Sequence, residues 1–418
     1  MPYKSEWMQK PKPRADVLLW ILLACSNGAS VPEQTELKKE VAQTAPLPSP
    51  TGPGIASLSS VQLPQSSGTQ FAIDTLSKVV DLHARDPKNP WAIGHGLVAL
   101  GSPLELSNGS DAVQWLFSQY AERTQVGNQW VLRFPKKDGN TRIEPHADLL
   151  LKALTDAGVP PSTPIEVKGH AHTVGDLYKG SLSETWFRTA DGTHSFDTSN
   201  DIPWSLFGLA SWSGPGQEWT SQNGHTSSAD DWANHTMDLL IKETRFLDEA
   251  KKAKRDFQKQ GQGIFQYTCG GAHLLQGVAH ATLKGFGSTS NRALLKEQLH
   301  LLLYRFPIEL GQIDAGEKQH PDFKLPLRVQ RLKLTGHTLE TLYRLSATDL
   351  VGEQDRKALE QVAAEVVKSV VLLQETGALV QLESIRAKNE QLYLDIVGDS
   401  AHALRGLRIA TGQSSVYY

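Results

Sequence analysis

The sequence predicts a mainly α-helical body, on three observations. Apolar residues recur at three- and four-residue spacing in many separate segments, good strand candidates are few, and one short histidine-led pattern repeats ahead of apolar runs. The composition suits a packed core: 418 residues carry 10 Trp, 14 His and only 2 Cys, with 42 Lys+Arg against 45 Asp+Glu. A net charge of -3 and a pI near 6.5 provide no basic field, so no nucleic-acid partner is expected. A mean hydropathy of -0.34 argues against a multi-span membrane protein. Two cysteines cannot build a disulfide framework.

Residues 1–25 read as an export signal. Lys4, Lys10, Lys12 and Arg14 precede an apolar run from Val17 to Ala24, too short to span a bilayer but long enough for a signal core. The run closes on Leu22-Leu23-Ala24-Cys25, which resembles the bacterial lipoprotein signal, in which a small residue precedes the cysteine that becomes lipidated. The resemblance implies lipidation of Cys25, anchorage to the cell envelope and, with Ser26 next in line, an outer-membrane destination. Residues 26–69 follow as a Ser/Pro/Gly-rich stretch without an aromatic side chain. Such a segment buries too little apolar surface to offset its ordering entropy and is expected to be a disordered tether, reaching about 35–40 Å. The folded domain is then 70–418, with Cys269 its one thiol.

Within that domain the helical spacing picks out Phe71–Leu82, Ala112–Tyr120, Ala147–Leu154, Leu294–Leu303, Leu339–Leu345, Ala358–Leu373 and Ala401–Ile409. Longer amphipathic stretches cover Thr244–Lys259, Asn291–Tyr304 and Gly352–Thr376. Gln129–Phe134 and Thr141–Glu144 flank the turn residues Lys137-Asp138-Gly139-Asn140 and are expected to form one β-hairpin. Trp186, Trp204, Trp212, Trp219 and Trp232 fall within 47 residues, and the stretch Thr185–Asp231 is rich in Ser, Thr, Gly and Asp. It reads as a long loop folded over the body, its rings either stacking on a sugar-like ligand or packing the loop down.

The repeated pattern places a small residue or Pro before His, with a helix-like run after it: Gly94-His95, Pro145-His146, Ala171-His172, Asn234-His235, Ala272-His273, Gly336-His337 and Ala401-His402. Pro, Gly, Asn and Asp cluster just upstream, as at Gly270-Gly271 and Gly398-Asp399, which predicts that each histidine opens a helix. The larger of the gaps between them (51, 26, 63, 38, 64 and 65 residues) each accommodate an inner helix, an outer helix and a loop. This alternation resembles the α/α toroid, the ring of helical hairpins seen in terpene cyclases, protein prenyltransferases, polysaccharide lyases and many glycosidases. The resemblance implies inner helices starting at one rim of a central funnel, where seven histidines would converge.

A helix N-terminus disfavours imidazolium and keeps the ring neutral, the form that binds a transition metal or acts as a general base. His95, His146, His172, His235, His273, His337 and His402 are therefore the candidate ligands for Zn, Fe or Cu. Glu340, Asp238, Asp176 and Asp399 lie three or four residues from a histidine, placed to ligate or to orient a ring, and Cys269 could join them. His280 follows His273 by seven residues as a same-face neighbour deeper in the funnel, while His83, His300 and His320 have no supporting pattern. No His-Glu-x-x-His, Gly-x-Ser-x-Gly, Walker or Gly-x-Gly-x-x-Gly motif is present. Three functions remain: a membrane-anchored metal enzyme acting on a sugar-like or other small organic substrate; a metal-free glycan lyase or hydrolase using His172 or His235 as base and Tyr178 or Glu340 as acid; and a lipoprotein that binds a ligand or partner without turnover.

Overall fold

The computed structural model describes residues 46–50, 62–258, 263–266, 269, 271–346, 348, 350–352 and 355–416. They are mainly helical: α1 (Ser67–Ala84), α2 (Pro90–Leu100), α3 (Ala112–Tyr120), α4 (Leu149–Asp156), α5 (Gly175–Glu184), α6 (Ile202–Trp212), α7 (Ala229–Lys252), α8 (Ala272–Leu283), α9 (Asn291–Gln319), α10 (Lys324–Ser346), α11 (Arg356–Gln374), α12 (Leu382–Lys388) and α13 (Glu390–Ala410). Side-chain caps fix several starts. Ser66, Asn89, Asp111, Ser228 and Asn389 each accept a hydrogen bond from a first-turn amide, and Pro90 occupies the position where a missing N–H costs nothing.

Ten short strands make five two-stranded antiparallel ribbons: β1 (Glu122–Val126) with β2 (Gln129–Arg133), β3 (Lys137–Asp138) with β4 (Thr141–Arg142), β5 (Pro164–Val167) with β6 (His170–Thr173), β7 (Phe187–Arg188) with β8 (Thr193–His194), and β9 (Glu218–Thr220) with β10 (Thr226–Ser228). The expected single hairpin is thus two. The turn at Gly139 joins only β3 and β4, while Gln129–Arg133 pairs backwards with β1 across Gly127, whose φ of 56° makes that tight turn possible.

Six helices are buried along most of their length and pack in a circuit: α2 on α4, α4 on α6, α6 on α8, α8 on α10, α10 on α13, and α13 on α2. Contacts advance in the same direction along both partners. Trp204 meets His273 and Ser211 meets His280; Lys333 meets Asp395 and His337 meets Asp399; Gly398 meets Trp91 and Arg408 meets Ala99. The six therefore run parallel. The other long helices lie outside them, α1 on α2, α13 and α11, α7 on α6 and α8, α9 on α8 and α10, and α11 on α10.

The Trp-rich segment is not a long loop. It contains α6, one of the six buried helices, and two ribbons, and Trp204, Trp212, Trp219 and Trp232 are buried because they pack these elements together. The expected tether also needs correction at its ends. Leu47 is buried and its amide donates to Gln129, Leu63 is buried and donates to the Ala410 carbonyl, and α1 already begins at Ser67. The rest of residues 26–69, and the signal segment with Cys25, lie outside the described residues. No described helix is long and apolar enough to cross a membrane.

Candidate metal centre in the helical interior

The parallel register explains which histidines meet. On α10, His337, Glu340, Thr341 and Arg344 share one face at three- and four-residue spacing, and α13 presents Asp395, Asp399 and His402 in the same way. Beside them α8 offers His273, Gln276 and His280, and α2 offers Trp91 and His95. Ring centroids of His337 and His402 lie 4.1 Å apart, those of His273 and His337 4.6 Å, and those of His273 and His402 5.0 Å. One ligand nitrogen from each of these three lies within 4.8 Å of the other two, so His273, His337 and His402 could hold a metal ion. His95 stands next to them, 5.6 Å from His402, edge to face.

Each ring is oriented by a neighbour. Nδ1 of His402 donates to Oε2 of Glu340 at 2.7 Å, which leaves Nε2 with the lone pair. Nδ1 of His95 donates to the Trp91 carbonyl at 2.9 Å, with the same result. Nε2 of His337 lies 3.5 Å from Asp399, while Nδ1 of His337 and Nδ1 of His273 are buried with no hydrogen-bond partner. Unsatisfied buried imidazole nitrogens beside oriented ones are the pattern a metal would complete, since unpartnered buried polar atoms otherwise carry a penalty of about 1–3 kcal/mol each.

The electrostatics keep His95, His273 and His402 neutral. Burial, aided by the neighbouring His337, pushes His402 down to about 3 and His273 well below its ordinary value; burial brings His95 to about 4 despite its bond to Trp91. Burial acts against the Glu340 charge, but Arg344 and His402 outweigh it and hold the carboxyl well below the usual range. Arg344 in turn bridges Glu340 and Asp156, at 2.8 Å each. Below the histidines the interior is thus an ionic network of Glu340, Arg344, Asp156, Lys152 and Arg405.

The other expected ligands are elsewhere. His146 sits in the loop before α4, bonded to Asp201 at 3.0 Å and stacked flat on Trp204 at 5.4 Å; Trp204 in turn lies 4.3 Å from His273. His146 thus borders the centre, and its side chain is one-third exposed. His172 lies on strand β6 with both nitrogens engaged, Nδ1 by Asp176 at 3.1 Å and Nε2 by the Arg123 guanidinium at 2.9 Å. His235 is in the second turn of the outer helix α7, against Phe187 and His194. Cys269 is outside the three-histidine group as well. Tyr178 is fully buried, shares a hydrogen bond with Ser213 at 2.9 Å, and burial pushes its hydroxyl up to about 12, which leaves it a poor proton donor to a substrate.

Only His273 opens a helix as expected. His95, His337 and His402 lie well inside theirs, because the glycines read as helix punctuation are packing positions. A Cβ on Gly336 would lie 2.8 Å from that of Ala403, and one on Gly398 would lie 2.8 Å from the Trp91 ring. Lys152, Asp156 and Arg344 were not singled out from sequence. Their signal is the charged residue inside an otherwise apolar helical run, Leu149-Leu150-Leu151-Lys152-Ala153-Leu154, with Asp156 four residues on.

No protein-family model matches the chain, nor does any curated protein or solved structure.

Proposed function

We propose that this protein is an exported, lipid-anchored α/α toroid in which His273, His337 and His402 hold one divalent transition ion, and that this centre is an enzyme site for a small organic or sugar-like substrate. The closed circuit of six parallel helices with the remaining long helices outside it supports the toroid. The observation that carries the metal reading is the convergence of three imidazoles from α8, α10 and α13 with ligand nitrogens within 4.8 Å. Nitrogens about 2.1 Å from one tetrahedral zinc are about 3.4 Å apart, so shifts on the order of 1 Å complete the site. An all-imidazole set suits Zn, Cu, Fe or Ni and not the hard cations Mg and Ca. Three protein ligands leave a position open, as catalytic sites require, and the bound ion would supply Lewis-acid polarisation.

The protein's own groups do the rest. Glu340 and Asp399 orient His402 and His337, Arg344 holds Glu340 ionised, and the partly exposed His146, stacked on Trp204, marks the side from which a ligand would approach. The metal-free glycan reading is disfavoured by the engaged nitrogens of His172 and the buried hydroxyl of Tyr178. Zinc titration by calorimetry tests the centre. One ion per chain is expected for the wild type and none for H337A or H402A with unchanged circular dichroism; equal uptake by the variants excludes the site. Incorporation of labelled palmitate that depends on Cys25 tests the anchor.

A further inference from the structure

We propose that Lys152 and the histidine centre together form a subsite for a small oxyanion, so that the substrate carries a carboxylate or phosphate group. The metal's share of this subsite rests on the reading above; the share of Lys152 does not. Its ammonium, 3% exposed, points among the inner helices and has a single hydrogen-bond acceptor among the described residues, Oδ2 of Asp156 at 2.8 Å. An ammonium carries three N–H donors, so two are left without an acceptor. Its other neighbours are π faces, Trp204 at 5.4 Å and Phe207 at 5.3 Å, which attract a cation but accept no strong hydrogen bond. Trp204 also touches His273, so the same ring borders the ammonium and the centre. Buried donors left bare this close to candidate ligands define a place for an acceptor.

Charge decides what kind of acceptor. Asp156 is shared with Arg344, and Arg405 lies in the same network. Lys152, Arg344 and Arg405 carry three positive charges against two negative ones on Asp156 and Glu340. Asp399 belongs to a separate group, in which it and Asp395 face Lys333. Within the contact network around Lys152, cations therefore exceed anions by one before any metal is counted, and neutral imidazoles add none of the negative charge that a divalent ion would need. In a medium of low dielectric that excess is costly, and an oxyanion removes it where a hydroxyl or an amide only fills the hydrogen bonds.

Cobalt-loaded wild-type protein, titrated with acetate, with inorganic phosphate and with acetamide while its visible absorption is followed, tests the subsite. Acetate or phosphate is expected to change the spectrum with saturation and acetamide to leave it alone; this comparison needs no variant. K152M should weaken the anion at least tenfold while leaving cobalt affinity unchanged or raised, since a like charge has gone, and K152Q serves if K152M does not fold. No spectral response to either anion, or an undiminished one in the variants, overturns the subsite. A chain that takes up no cobalt contradicts the metal reading separately. The subsite is then read from the Tm of the metal-free protein at constant ionic strength, which must rise with acetate or phosphate in the wild type and not in the Lys152 variants; absence of that difference overturns it.

Discussion

At His402 and His337 the two orienting carboxylates are exchanged. Glu340 is three residues from His337 on α10 but bonds His402 on α13, and Asp399 is three residues from His402 but faces His337. Side chains on parallel neighbouring helices meet across the interface more closely than along their own helix. The sequence therefore showed that these carboxylates accompany the histidines but assigned each to the wrong one. It also could not separate His273, His337 and His402 from His172 and His235, since all five carry the same local pattern and only tertiary register distinguishes them. Two outcomes follow at this scale. E340Q should weaken zinc about 10- to 100-fold in competition with a chromogenic chelator, because the anionic acceptor that fixes the His402 tautomer is lost; wild-type affinity would show that Glu340 orients nothing. H172A and Y178F should bind zinc as the wild type does, and a loss in either would move the centre.

The inner helices depend on small residues at their crossings. Gly336 lies against Ala403, and Gly406 against the Glu340 backbone, whose amide would be 2.8 Å from an added Cβ. Those approaches let α10 and α13 come close enough for their histidines to share a centre. Helix existence was legible where the apolar period was clean, as in Ala112–Tyr120, which is α3 to the residue. It was partly legible in α10 and α13, where Gly336, Gly398 and Asp399 interrupt a pattern that the backbone continues through. A glycine signals a break and a tight crossing in the same way, and only the partner helix tells them apart. G336A should destabilise the fold by about 1–3 kcal/mol in urea unfolding, because overpacking against Ala403 moves backbone. It should also weaken zinc; unchanged stability would mean that the crossing is loose.

For the molecule as a whole, the neutral histidines set the acid limit. Burial brings His95 to about 4, His280 and His402 to about 3, and His273 well below its ordinary value. All four folded values lie below the unfolded value near 6.5, so their contribution is full above that pH and is lost as pH falls through the folded values. Burial raises Asp148 to about 6 and Glu144 well above its usual range, and these act with the opposite sign, losing stability as pH rises. His83, His194 and His235 are lowered as well and Asp399 is raised, so seven histidines against three carboxyls give the histidines the slope. The metal-free protein should show a falling urea midpoint from pH 7 to 4.5, and a flat or rising midpoint contradicts the neutral cluster. Saturating zinc at 100 times its Kd should add about 2.7 kcal/mol at pH 7. The mainly α architecture was legible at this scale. The charged interior was not, because Lys152, Asp156, Arg344 and Arg405 look like ordinary surface charges until parallel packing turns them inward.

The most direct test of the metal centre is elemental analysis of protein purified without a polyhistidine tag, wild type beside H273A, H337A and H402A. The expected result is close to one Zn, Fe or Cu per wild-type chain and none in the three variants, each still showing its helical circular dichroism. Wild-type protein that carries no metal and takes up none from added zinc would contradict the centre.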